Sequence, residues 1–307
     1  MSDLTAPRFE GTISVGDGRR LSFAEFGKPH GRPVIWMHGT PGARRQIPEE
    51  ARIAAVELGI RLIGLDRPGV GQSTPHLYES FLEFVDDLVT ATDRLGVDDF
   101  AMIGLSGGGP YVLAAAYAVP ERMKAAAVLG GVAPTCGPDA APGGIVSLAA
   151  TFQPVLRRLR VPLGLGLSML LWTLRPVGGQ ALDVYARLSP RGDRELLARP
   201  EFRAMFLDDL LNGSKLGLRA PVYDVLLFGR PWGFSVRDIK VPVRWWHGDA
   251  DHIIPLRHGE HMVSLIPDCH LHVQPGESHL GTLAEAEAIL TELLEGWETG
   301  LVSPGRR

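Results

Sequence analysis

The feature that most constrains this chain is a set of short runs in which consecutive residues, not alternate ones, are apolar. Val34-Ile35-Trp36-Met37, Leu62-Ile63-Gly64-Leu65 and Phe100-Ala101-Met102-Ile103-Gly104-Leu105 are the clearest, and 125–129, 241–246 and 271–273 follow. A strand with one wet face alternates apolar and polar residues. A run apolar at every position belongs to a strand covered on both faces, as in a parallel sheet sandwiched by helices. Residues 12–15 and 21–26 are expected to pair as an antiparallel hairpin around Gly16-Asp17-Gly18.

Amphipathic stretches separate the runs. Ser80-Phe81-Leu82-Glu83 has the capping-box pattern, and Phe81, Val85, Leu88 and Leu95 continue at helical spacing to Gly96. Thr282-Leu283-Ala284-Glu285 opens a second such stretch, with Ala286, Ile289, Leu290, Leu293, Leu294 and Trp297 as its apolar stripe. Strands alternating with helices specify an α/β fold. The alternation stops between about 134 and 235. The reading is a core of 1–134 and 236–307, split by a helical lid or cap at 135–235. The lid's apolar centre, 161–174, is too short to cross a bilayer and is interrupted by Gly164 and Gly166. Arg157, Arg158, Arg160 and Arg175 flank it. This segment is expected to cover a substrate site, with Met169 and Trp172 in the pocket, and to touch a membrane surface transiently.

The 307 residues are 45% hydrophobic and 21% charged with a net charge of −4, which fits a globular chain and argues against a nucleic-acid binder. Two cysteines permit no disulfide framework, and the first residues lack a basic head with an apolar run behind it. A cytoplasmic protein is the expectation. No G-x-G-x-x-G follows the first strand, and Gly107-Gly108-Gly109 lacks the lysine of a phosphate-binding loop. His258-Gly259-Glu260-His261 and the pair His270 and His272 lack a third ligand, so neither metal nor cofactor is expected.

The chemistry centres on Gly104-Leu105-Ser106-Gly107-Gly108, between an apolar strand and a helix-like run. This is the setting of a G-x-S-x-G nucleophile elbow, in which tight packing demands glycine beside an exposed serine. A serine nucleophile needs a base, and the base an orienting acid. His279, in Gly276-Glu277-Ser278-His279-Leu280, follows the last strand and supplies the base. His247-Gly248-Asp249-Ala250-Asp251 follows the strand before it and offers two aspartates as the acid.

Together with His38-Gly39-Thr40-Pro41-Gly42 and Asp66-Arg67-Pro68-Gly69-Val70-Gly71-Gln72-Ser73, these motifs make the chain resemble the α/β-hydrolases over about two-thirds of its length. The resemblance implies a mostly parallel eight-stranded sheet flanked by helices, with the insertion as a helical lid. It favours Asp251, three residues after Gly248 and four before Pro255, as the acid, with Asp249 capping its loop. It implies that the N–H groups of Thr40 and Gly107 form the oxyanion hole, and that His38, Asp66 and Arg67 hold their loops. The function expected is hydrolysis of a carboxylic ester of an apolar small molecule or lipid through an acyl-enzyme on Ser106. Related chemistries on the same residues are a proline-iminopeptidase-like peptidase, a carbon–carbon bond hydrolase and a cofactor-free haloperoxidase. A ligand receptor is the non-catalytic alternative. Ser106 at the elbow argues against relatives that use an aspartate nucleophile.

Overall fold

The computed structural model describes residues 4–141, 143–144, 148–214 and 217–300. Eight strands form one sheet: β1 (Phe9–Ser14), β2 (Arg20–Gly27), β3 (Arg32–Met37), β4 (Ile60–Leu65), β5 (Phe100–Leu105), β6 (Met123–Leu129), β7 (Val243–Gly248) and β8 (Cys269–Gln274). Their order is β1-β2-β4-β3-β5-β6-β7-β8. β1 and β2 pair antiparallel, as does β2 with β4, and every later pairing is parallel. The runs 34–37, 62–65, 100–105, 125–129 and 271–273 lie within these strands, and 241–246 overlaps β7 from Val243 on.

The consecutive apolar pattern has a direct explanation. Ile35 and Met37 point into one core, with Phe84 of α2 (Phe81–Arg94), Leu113 of α3 (Gly109–Ala118) and Met262 of α9 (Arg257–Leu265). Val34 and Trp36 point into the other, with Ala54 of α1 (Glu49–Glu57) and Leu290 of α10 (Ala286–Gly300). Alternate side chains serve opposite faces, and both faces are dry.

Between β6 and β7 the chain builds only helices among the described residues: α4 (Leu148–Leu174), α5 (Gly178–Leu188), α6 (Arg191–Ala198), α7 (Pro200–Asp208) and α8 (Ala220–Phe228), with short 3-10 and π turns among them. This helical insertion sits over the end of the sheet where β3, β5, β7 and β8 finish. Two expectations about it fail. Gly164 and Gly166 do not interrupt the apolar centre, because α4 runs through both and through Pro154 and Pro162. A β-carbon at Gly164 would meet the stem of Arg219 at 3.3 Å, so that glycine lets α4 lie close to α8. By length and composition the helical stretch Pro154–Leu188 is long and apolar enough to cross a membrane, which the count of fourteen residues missed.

The capping boxes also differ from expectation. The Ser80 side chain makes no cap bond, and Glu83 instead accepts the Glu79 N–H at 2.6 Å. Thr282 is fully buried in a 3-10 turn, its hydroxyl has no partner among the described residues, and α10 begins at Ala286. At Thr282 tertiary burial overrides the local cap. The stop signal at Gly96 does operate: its φ is +64°, and the Val97 N–H reaches the Thr92 carbonyl at 2.9 Å.

Ile103 lies in central strand β5 with no exposure to solvent. Ile103→Ala is expected to cost about 2–5 kcal/mol, seen as a lower urea midpoint at unchanged slope.

Candidate active site

β5 ends at Leu105, and Ser106 turns the chain into α3 with φ at +50°. A non-glycine residue in the left-handed region costs on the order of 1–3 kcal/mol and persists only where packing imposes it. The packing here is visible in the neighbouring glycines. A β-carbon on Gly104 would lie 2.7 Å from the Gly108 carbonyl, and one on Gly108 would lie 2.5 Å from the Met37 carbonyl. One on Gly107 would meet the Thr40 hydroxyl at 2.3 Å. The elbow is therefore wedged against the loop after β3, with Gly107 beside Thr40.

The structure brings Ser106, His279 and Asp251 together. His279 Nε2 is 2.9 Å from Ser106 Oγ, and His279 Nδ1 is 2.7 Å from Asp251 Oδ2. Burial acts to raise the pKa of Asp251. Hydrogen bonds from His247, His279 and the Ile254 N–H outweigh it and hold the carboxyl well below its usual range. An ionised Asp251 has no proton to give, so Nδ1–H donates to it. Nε2 is then left to accept the Ser106 hydroxyl.

Asp251 is itself fixed. Its Oδ1 accepts the N–H groups of Ile253 and Ile254 at 2.8 and 2.9 Å. Its Oδ2 lies 3.5 Å from Nε2 of His247. The Trp245 indole N–H donates to His247 Nδ1 at 3.1 Å, so Nε2 carries the hydrogen and donates to the Ile254 carbonyl at 2.7 Å. Asp249 points elsewhere and accepts the Gly276 N–H at 2.7 Å. Gly130, at φ +53° after β6, completes the floor, since a β-carbon there would stand 3.5 Å from both Asp251 Oδ2 and His279 Nδ1.

His38 lies buried under the Thr40 loop. Burial and the Arg67 charge hold its pKa well below the usual value, so it stays neutral. Its Nδ1 is 2.8 Å from the Gly39 carbonyl, and its Nε2 accepts the Arg67 N–H at 3.3 Å. Asp66 binds the Arg44 guanidinium at 2.9 Å and accepts the Ser22 hydroxyl at 2.6 Å. His258 and His261, whose spacing suggested ligands, face the carbonyls of Gly143 and Asp139.

A cavity of about 400 Å³ opens on Ser106 and His279. Leu171, Leu182, Phe206, Leu210, Leu218, Ile253 and Leu280 make most of its wall, while Thr40, Gln46, Tyr185, Asp209 and Ser214 add polar groups. Met169 and Trp172 are not in it. They are 66% and 69% exposed on the outer side of α4, and Leu171 of the same helix faces the cavity instead. Continuous helical phase through Gly164 and Gly166 decides which side chain turns inward.

Three buried carboxylates of the insertion went unread in the sequence. Asp224 of α8 pairs with Arg67 at 2.7 Å, both 1% exposed, and accepts the hydroxyls of Thr40 at 2.6 Å and Tyr111 at 2.7 Å. Asp193 of α6 accepts the N–H of Leu280, next to His279, at 2.7 Å. Asp209 accepts the N–H groups of Ala43 and Arg45 at 2.8 and 3.1 Å. The one available signal was at Asp224, a lone acid inside the apolar run 221–228. Burying such a charge is costly without a partner.

Burial and the nearby Asp66 carboxylate push Asp209 up to about 7. The folded state thus holds this proton more tightly than the unfolded chain, whose Asp titrates near ~3.9. The sign follows from linkage: this stability is present below the unfolded pKa and is lost as pH rises through about 7. Melting temperature should therefore fall between about pH 4 and pH 7 and level off above, and Asp209→Asn should remove that part of the slope. An unchanged slope in the variant would place the titration elsewhere.

A family model of the alpha/beta hydrolase fold matches residues 32–283. Among curated proteins, a proline iminopeptidase of Xanthomonas citri is 33% identical over 135 residues, 41% of this chain and 40% of that one. A second, from Arabidopsis thaliana, is 31% identical over 120 residues, 38% of this chain and 31% of that one. The match thus spans less than half the length of these relatives. Among solved structures, a bromoperoxidase from Bacillus anthracis aligns with TM-score 0.67 at 21% identity, covering 94% of this chain and 100% of that one. A thermophilic esterase from Thermogutta terrifontis aligns with TM-score 0.67 at 19% identity, covering 95% and 99%. With the matched model spanning most of its length and the sheet order, elbow and helical insertion in place, this chain belongs to the alpha/beta hydrolase fold family.

Proposed function

We propose that this hydrolase cleaves carboxylic esters of apolar small molecules or lipids through an acyl-enzyme on Ser106. The observation that carries the reading is the hydrogen-bonded chain Ser106–His279–Asp251 at the base of a mostly apolar cavity. In this mechanism His279 Nε2 takes the Ser106 proton as Oγ attacks the ester carbonyl. Asp251 holds the ring in the required tautomer and stabilises the imidazolium. The N–H groups of Thr40 and Gly107, neighbours across the elbow, receive the developing oxyanion. His279 then returns the proton to the leaving alcohol, and a water activated by the same ring releases the acid.

The curated relatives raise a second reading, a peptidase acting at a free N-terminus. Such a substrate brings an ammonium group that needs an acceptor. Asp209 is the one carboxylate lining the cavity among the described residues, and two backbone N–H groups already bind it. The ester reading therefore leads. A panel of p-nitrophenyl esters from acetate to palmitate beside an aminoacyl-arylamide tests the choice. Faster turnover of the arylamide would reverse it.

Ser106→Ala is expected to lower turnover by at least about 10³-fold and to abolish labelling by a fluorophosphonate, with the fold retained. Asp251→Asn should cost far more rate than Asp249→Asn, since only Asp251 touches His279. The opposite ranking in folded variants would move the acid to Asp249.

Wall residues should set chain-length preference. A buried methylene is worth about 0.8 kcal/mol, or roughly fourfold in kcat/KM. Leu171→Ala and Phe206→Ala should lower kcat/KM for medium-chain esters several-fold more than for acetate. Met169→Ala and Trp172→Ala should leave the ranking of chain lengths unchanged. A shifted ranking in the latter pair would show that the acyl chain runs along the outer face of α4.

A further inference from the structure

Helix α4 has two unlike sides. Its inner side is committed to the protein: the Leu218 N–H donates to Ser168 Oγ at 3.2 Å, and in the 3-10 turn directly after α4 the Arg175 guanidinium donates to the Ser214 carbonyl at 2.9 Å. Its outer side exposes Phe152, Val155, Leu159, Met169, Leu170 and Trp172. An exposed apolar surface of this extent on a folded domain marks a contact site. Its charge is as one-sided as its apolarity. Residues 140–182 contain Arg157, Arg158, Arg160 and Arg175 and no Asp, Glu or Lys, in a chain whose net charge is −4. Arg157, Arg158 and Arg160 form no ion pair among the described residues, whereas Arg44, Arg45, Arg52, Arg61 and Arg67 are all paired with acids.

We propose that the outer face of α4 docks on the surface of a bilayer carrying anionic headgroups. Large apolar side chains would enter the interface while the arginines, on flexible stems, reach the phosphates. The helix lies on the bilayer instead of crossing it, because a crossing helix would have to give up the inner-side bonds to Ser214 and Leu218. Charge selects this occupant, since an uncharged apolar partner leaves the unpaired arginines without counter-charges. Docking on this face holds α4 at the interface, with Leu171 on its other side in the wall of the cavity. The substrate of the proposed reaction would then be drawn from, or dissolved in, the lipid phase. The docking itself is independent of that reaction and is read without turnover.

The fluorescence of the chain supplies a local probe. Trp172 is exposed, while Trp36, Trp232, Trp245, Trp246 and Trp297 are buried. The full chain would be floated with phosphatidylcholine vesicles with and without phosphatidylglycerol, and its tryptophan emission recorded. It should float with the anionic vesicles at low salt, detach at high salt, and shift its emission to the blue on binding. Trp172→Phe should still float without the shift. Replacing Arg157, Arg158 and Arg160 by Gln should weaken binding about a hundredfold, at roughly fivefold per basic residue. Absence of flotation by the unaltered chain, unchanged affinity in the triple variant, or a shift that survives Trp172→Phe would overturn the proposal. So would an emission change that follows protein concentration and not vesicles, since the face would then be covered by a second copy of the chain.

Discussion

The structure depends on one backbone angle, the left-handed φ of Ser106 at the end of β5. That conformation reverses the chain within one residue, lifts the hydroxyl clear of the sheet, and starts α3 directly behind it. It is unfavourable for serine in isolation, so the surroundings must hold it. They do so by leaving no other space. Gly104 and Gly108 sit where a single β-carbon would strike backbone carbonyls, and Gly107 presses on Thr40. The serine, the loop after β3 and the His279 loop after β8 then meet at one point, because parallel strands deliver their carboxyl ends to one edge.

The insertion does more than cover this edge. Three of its buried carboxylates bind the core loops that carry the site, two of them the loop after β3 and one the loop after β8. Asp224 holds Thr40 and Arg67, Asp209 holds the N–H groups of Ala43 and Arg45, and Asp193 holds the N–H beside His279. A buried carboxylate is tolerated only where donors satisfy it, and truncating one partner leaves the other uncompensated. These contacts therefore couple the position of the helices to the geometry of the reacting groups. Asp224 is the most densely bound of the three, with a guanidinium and two hydroxyls on its two oxygens.

The same helices present opposite surfaces to opposite media. Leu171 turns into the cavity while Met169 and Trp172, two and one positions away, stand in solvent. This follows from the helix's 100° step per residue and from the packing of its inner side on α8.

The sequence by itself determined the sheet and singled out Ser106, Asp251 and His279, which the fold joins in one hydrogen-bonded chain. Consecutive apolar residues such as Val34 to Met37 can be buried only between two helical layers, and that requirement is local enough to read without coordinates. The elbow was legible because glycine at 104, 107 and 108 has a steric reason, and Asp251 because its spacing to Gly248 and Pro255 resembles a known pattern. Tertiary structure decided the rest. Ser80 and Thr282 carry a helix-capping pattern, but the Glu79 N–H takes up Glu83 at the first and burial claims Thr282 at the second, so propensity was overruled. Gly164 and Gly166 were read as breaks, yet α4 runs through both, and at 164 the close approach of Arg219 suits glycine. The partners of Asp193, Asp209 and Asp224 lie more than eighty residues away along the chain. A carboxylate's need for a donor is visible in sequence, but which donor meets it is a matter of distance in space, and only the folded chain sets that distance.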